Sequence, residues 1–179
     1  MSAHLPKNKG RWKNPEQQGN SIWFPDLNCI PEGSNDPNTP YTFKRLMIMN
    51  FKKPFTFREI FFLKKLFLVL NLIKLSTGSI GIRFIDNEPN FQPFSIATVK
   101  VKPLLDCRYG SEGTMPLADK ILAKRLGIAE SKVRQWINDN QYVWHERQNG
   151  KHIDLLTHDI HGNIPHTGGI SMNKKRNEI

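Results

Sequence analysis

"YVWHERQNGKHIDLLTHDIHGNIPHTGG", residues 142–169, holds His145, His152, His158, His161 and His166, five of the six histidines in a chain of 179 residues. The aromatic and β-branched run 142–147 predicts a strand, "QNG" (148–150) predicts a turn built on Asn149 and Gly150, and "KHIDLL" (151–156) predicts a second strand. "HDIHGNIPH" (158–166) then opens a short helix or loop. A hairpin followed by a helical turn carries His145, at the end of the first strand, toward His161 and His166. The last two face one point only if the chain turns between them, which Gly162 and Pro165 permit. Imidazole is the commonest nitrogen ligand of transition metals, and a histidine beside an ion-bound phosphate is a means of making a nucleophile from water.

The rest of the chain bounds what such a cluster serves. The formal charge is +10 with 38% hydrophobic residues, enough to bury a core and basic enough to call for an acidic partner, of which nucleic acid is the commonest. Residues 44–102 carry eleven basic against three acidic side chains, whereas residues 1–43 balance at four of each. Lys52 and Lys53, within that central surplus, are therefore candidates for a nucleic-acid track, the alternative being a solvated basic face. Cys29 and Cys107 lie far apart without CxxC spacing, so neither a disulfide framework nor a cysteine zinc site is expected. The polar start "MSAHLPKNKGRWKNPEQQGN" lacks the apolar core of a cleavable signal. "REIFFLKKLFLVLNLIKL" (58–75) is the most apolar stretch, but Lys64, Lys65 and Lys74 interrupt it short of the roughly 20 residues a bilayer span needs. It reads as a buried or interfacial helix.

Residues 1–43, rich in proline, asparagine and glycine, read as ordered coil, and "GSIGIRFIDNEPNFQPFSIATVKVKPL" reads as short strands. From Pro116 the period becomes helical, with Leu117, Ile121, Leu122 and Leu126 on one face, a break at Gly127, and a restart through Val133, Trp136 and Ile137. The spacing of Ala123, Gly127 and Val133 resembles a helix-turn-helix motif, which would make Lys132, Arg134 and Gln135 groove-facing. A scaffold pair with a glycine corner gives the same pattern.

The histidine stretch resembles the WHH-type toxin nucleases of the HNH/endonuclease VII superfamily, found as C-terminal modules of bacterial polymorphic and contact-dependent toxins. The resemblance rests on Trp144, His145, Gly150, His161, His166, Thr167, Gly168 and Gly169, and extends more thinly to 10–26, 81–91 and 118–142. It implies an α+β chain with a ββα-metal, treble-clef-like core at its C-terminus, preceded by the helical pair and an irregular, short-strand N-terminal region. Residues 1–102 would form an accessory part and 103–179 the nuclease domain. The activity implied is metal-dependent hydrolysis of phosphodiester bonds, DNA before RNA, with one divalent ion (Mg, Zn, Ni or Mn). The partner implied is a cognate immunity protein, and the place of action is bacterial cytoplasm, after delivery as a toxin module. Glu146 stands where the family's second histidine falls. The family uses one member of that adjacent pair as ligand and the other to activate water. Here His145 is the candidate base, His161 and His166 are the candidate ligands, and Glu146 is a candidate further ligand, although strand alternation sends neighbours to opposite faces. Asn163 and Asn149 are candidates for the asparagine of the HNH name, and Gly168 and Gly169 are expected to supply a permissive turn. The competing function is DNA binding without catalysis, by a helix-turn-helix at 118–140 with a structural metal site.

Overall fold

Asp86 and Asn87 adopt φ values of 50° and 67°, the left-handed pair that a two-residue hairpin loop of matching twist requires. In the computed structural model, which describes residues 4–32, 42–43, 81–101 and 108–168, they join strand β3 (Ile82–Ile85) to β4 (Glu88–Pro89). Ahead of them β1 (Gly10–Trp12) and β2 (Ile22–Pro25) complete an antiparallel sheet in the order β1-β2-β3-β4. Trp12 pairs with Trp23 and Trp23 with Ile82, so one face is aromatic and apolar, and it is this face that the chain buries. The apolar stretch 58–75 and the candidate track residues Lys52 and Lys53 lie outside the described residues.

A second antiparallel sheet, β5-β7-β6, is built from Ala97–Lys100, His152–Thr157 and Tyr142–Glu146. The β6–β7 turn contains Gly150 at φ 65°, and the Asn149 side-chain oxygen accepts from the amides of Lys151 and His152. Asn149 is thereby the turn residue that the sequence reading of "QNG" expects. Arg147 holds Asp154 with two bonds of 2.7 Å, and Thr98 donates to the same carboxylate at 2.6 Å, so one buried anion ties the three strands together.

Strand β7 lies between two cores. Ile153 and Leu155 face a cluster with Val99, Val101, Met115, Leu122, Val133, Ile137 and Trp144; Leu156 faces the other, with Trp23, Phe43, Ile82, Phe84, Phe91, Ile160 and Ile164. The first cluster is closed by helices α1 (Thr114–Leu126) and α2 (Glu130–Asp139). Gly127 between them takes φ 68° and donates its amide to Ala123, a left-handed helix end that favours glycine. Their inner faces pack on the sheet through Leu122, Ala123, Val133 and Ile137, with Leu117, Ile121 and Leu126 only half-buried. The helical pair is therefore fixed to the sheet as scaffold. Helix α3 (His158–Asn163) follows β7 directly, and the Thr157 side chain caps it by accepting from Ile160. Strand, turn, strand and helix thus follow in the order read from 142–169.

Candidate metal centre

The register of the hairpin decides which side chains meet. His145 stands opposite Asp154, two residues before Leu156, and so faces the second core; Trp144, opposite Leu155, faces the first, and Glu146, opposite Ile153, closes the strand beside Arg108. On the second side, α3 brings His161 and the following loop brings His166. Ring centroids are 5.3 Å apart for His145 and His161, and 5.0 Å for both His145–His166 and His161–His166. One ring nitrogen from each lies within 4.8 Å of the others, which makes this the group among the described residues that could hold an ion. Glu146 is not a member.

Phe91 forms the floor, edge-on to His145 at 4.9 Å and to His166 at 5.3 Å, and tilted toward His161 at 6.3 Å. It is fully buried, and burial is the main cause that lowers His161 to a pKa of about 3 and His166 to about 4. The charges of neighbouring histidines add to the depression, and Arg108 adds to that of His161. Both imidazoles are neutral at neutral pH, with lone pairs available. His166 donates from Nδ1 to the Ile164 carbonyl at 2.6 Å, which leaves Nε2 as its ligand atom. His145 is 2% exposed, and its Nε2 is buried without a hydrogen-bond partner. Three ring nitrogens, two on neutral rings and one of those oriented by a backbone carbonyl, form a donor set that fits a divalent transition ion.

Glu146 ends β6, buried, with Oε2 bonded to Arg108 Nε at 2.9 Å and Oε1 without a partner. Burial raises its pKa, while Arg108 and then His145 pull it down. Arg108 precedes a turn that requires glycine at 113, where a Cβ would lie 2.6–2.8 Å from the Arg108 and Tyr109 backbone. Its guanidinium also reaches round the strand end, so that a Cβ on Gly168 would stand 3.1 Å from Nη2. Gly168 does not take the left-handed φ that a permissive turn would use, and the Arg108 guanidinium lies against it; Gly169 lies outside the described residues. Sequence reading missed Arg108, Phe91 and Glu88, whose Oε1 lies 3.6 Å from His145 Nε2.

The other candidates fall elsewhere. Lys132 and Gln135 are exposed on α2, and Arg134 is ion-paired with the buried Asp119, which also accepts from Trp144 Nε1 at 2.8 Å. Asn163 donates to the Asp159 carbonyl at 2.7 Å inside α3. His158 is exposed, and His152 contacts Asn149.

A hairpin and helix that bring three imidazoles together in a mixed fold of antiparallel strands and few helices are consistent with a small α+β nuclease domain. Residues 110–168 match the family described as the DNase/tRNase domain of colicin-like bacteriocin, about a third of the chain, a finding consistent with a toxin nuclease module of the HNH/WHH type. The matched span contains His145, Glu146, His161 and His166; Arg108 and Phe91 precede it. No curated protein matches the chain. The match supports a nuclease of the toxin class and does not favour DNA binding without catalysis. Among the described residues no helix is long and apolar enough to cross a membrane.

Proposed function

We propose that the protein is a metal-dependent nuclease that hydrolyses phosphodiester bonds, with DNA as its substrate. The observation that carries this is the convergence of three ring nitrogens within 4.8 Å, two of them on imidazoles that burial keeps neutral. Histidines with pKa values of about 3 and about 4 cannot donate protons at neutral pH, so the paired acid and base of a metal-free ribonuclease find no support in them. Hydrolysis by an activated water needs no 2′-hydroxyl, which makes DNA a competent substrate.

His145 joins His161 and His166 as a third ion-holding group, in place of the base role first expected of it. When bound, the ion supplies positive charge for a non-bridging phosphate oxygen and the leaving 3′-oxygen. Glu146, at the strand end next to His145 and close enough for that ring's charge to act on its carboxylate, takes the proton of the attacking water through Oε1, the oxygen left unpartnered; its raised pKa is the direction that makes a carboxylate a better base. Arg108 holds the other oxygen and sets a half-exposed cation beside Gly168, where it contacts phosphate. The chain acts as a toxin module in bacterial cytoplasm, restrained by an acidic immunity protein that complements its +10 charge. Incubating the chelated protein with plasmid and with RNA, with and without added divalent ion, tests the reading. Metal-dependent nicking of plasmid is expected. Cleavage of RNA alone, undiminished by chelator, would replace it with a ribonuclease.

A further inference from the structure

Beside the His145 ring, on strand β4, stands Glu88. Its Oε1 lies 3.6 Å from His145 Nε2, a nitrogen buried without a hydrogen-bond partner, and the same oxygen accepts the Gln148 amide at 2.7 Å. Glu88 is outside the group of side chains whose ligand atoms converge within 4.8 Å of one another, so among these three histidines its recorded contact is with His145 alone. Its carboxylate opens on a cleft lined by Asn90, Arg147, Gln148 and Asp154, where Arg147 is already taken up by Asp154. The hairpin loop of Asp86 and Asn87 sets this position, and the Gln148 amide pins the carboxylate to the β6–β7 turn.

We infer that Glu88 is a positioning residue for the metal centre: it receives the Nε2 proton of His145, fixes the tautomer and leaves Nδ1 as the atom offered to the ion. A separation of 3.6 Å is too long for a hydrogen bond, and a small rotation of either side chain closes it. Carboxylate, imidazole and ion in series is a general arrangement that orients the ring and raises its basicity as a ligand. The same oxygen bridges the four-stranded sheet and the histidine hairpin, so the residues before the family match complete a site that lies within it.

The inference rests on the metal-site reading, and the test separates the two. Glu88→Ala and Glu88→Gln are compared with wild type in full-length protein, with folding checked by circular dichroism. Zinc and nickel affinity are measured by calorimetry, and the His145 tautomer by nitrogen-15 shifts in the metal-free state. Glu88→Ala is expected to weaken metal binding 10–100-fold and to lose the Nε2–H tautomer, because a carboxylate behind a ligating histidine has that order of effect. Glu88→Gln, whose amide oxygen still accepts, should retain affinity within a few-fold. Wild-type affinity and tautomer in folded Glu88→Ala would overturn the role. Equal loss in both variants, with the wild-type tautomer retained, would also overturn it by making Glu88 a direct ligand. Absence of binding in the wild type would remove the metal site itself.

Discussion

The roles of His145 and Glu146 are separable because alternation turns one toward Phe91 and its two partner histidines and the other toward Arg108. Glu146→Gln keeps the shape and removes the base, so cleavage should fall about 10²–10⁴-fold while metal affinity stays within a few-fold of wild type. His145→Ala should instead lower metal affinity at least about tenfold, and cleavage with it. The reverse pattern, intact binding in His145→Ala and near-normal turnover in Glu146→Gln, would return the base role to His145. Acid sensitivity follows from the depressed histidines. An unfolded chain protonates these rings below about pH 6.5, whereas the folded chain does so only near pH 3 for His161 and pH 4 for His166. Over that window the unfolded state binds more protons, so metal-free protein loses stability as pH falls from about 6.5 toward 4. Urea midpoints across this range should drop less steeply in His161→Gln than in wild type; parallel curves would contradict the burial that keeps the ring neutral. His145, His161 and His166 were legible in the sequence because one hairpin, one helix and the loop after it carry them over 22 positions. Arg108, Phe91 and Glu88 were not, since each enters from a separate segment of ordinary composition.

At the scale of elements, the β6–β7 hairpin is held from behind by helix α1 through a polar contact inside an apolar cluster. Asp119 accepts from Trp144 Nε1 and pairs with Arg134; burial raises its pKa against these two groups, which lower it. Asp119→Ala should cost about 1–3 kcal/mol, the range for a buried donor left without its acceptor. The loss should appear in the urea midpoint, with cleavage per folded molecule retained. Unchanged stability would mean that Trp144 is held by packing alone. The helical periods, the Gly127 break and the hairpin turn were readable because each is set by residues a few positions apart. Pairing of β5 with β7 was not, because Ala97 and Leu155 meet across 58 positions with only alternation to suggest it. The helix-turn-helix resemblance of 118–140 came from a real glycine corner whose apolar faces are spent on the sheet.

Across the whole molecule, the basic surplus lies in residues 44–102, whereas the three histidines of the centre lie in 145–166. Lys52→Ala with Lys53→Ala should raise KM and flatten its salt dependence while leaving kcat unchanged, as loss of uniform phosphate binding does. An unaltered salt slope would place the nucleic-acid track elsewhere. The central claim is that cleavage belongs to an ion held by His145, His161 and His166. The most direct measurement titrates chelated protein with one divalent ion, following bound metal and plasmid nicking in the same samples. Nicking should rise in step with the first equivalent bound, and His166→Ala should shift both curves together to higher metal concentration. Nicking at full rate before any metal is bound, or saturation of the site without nicking, would contradict the account.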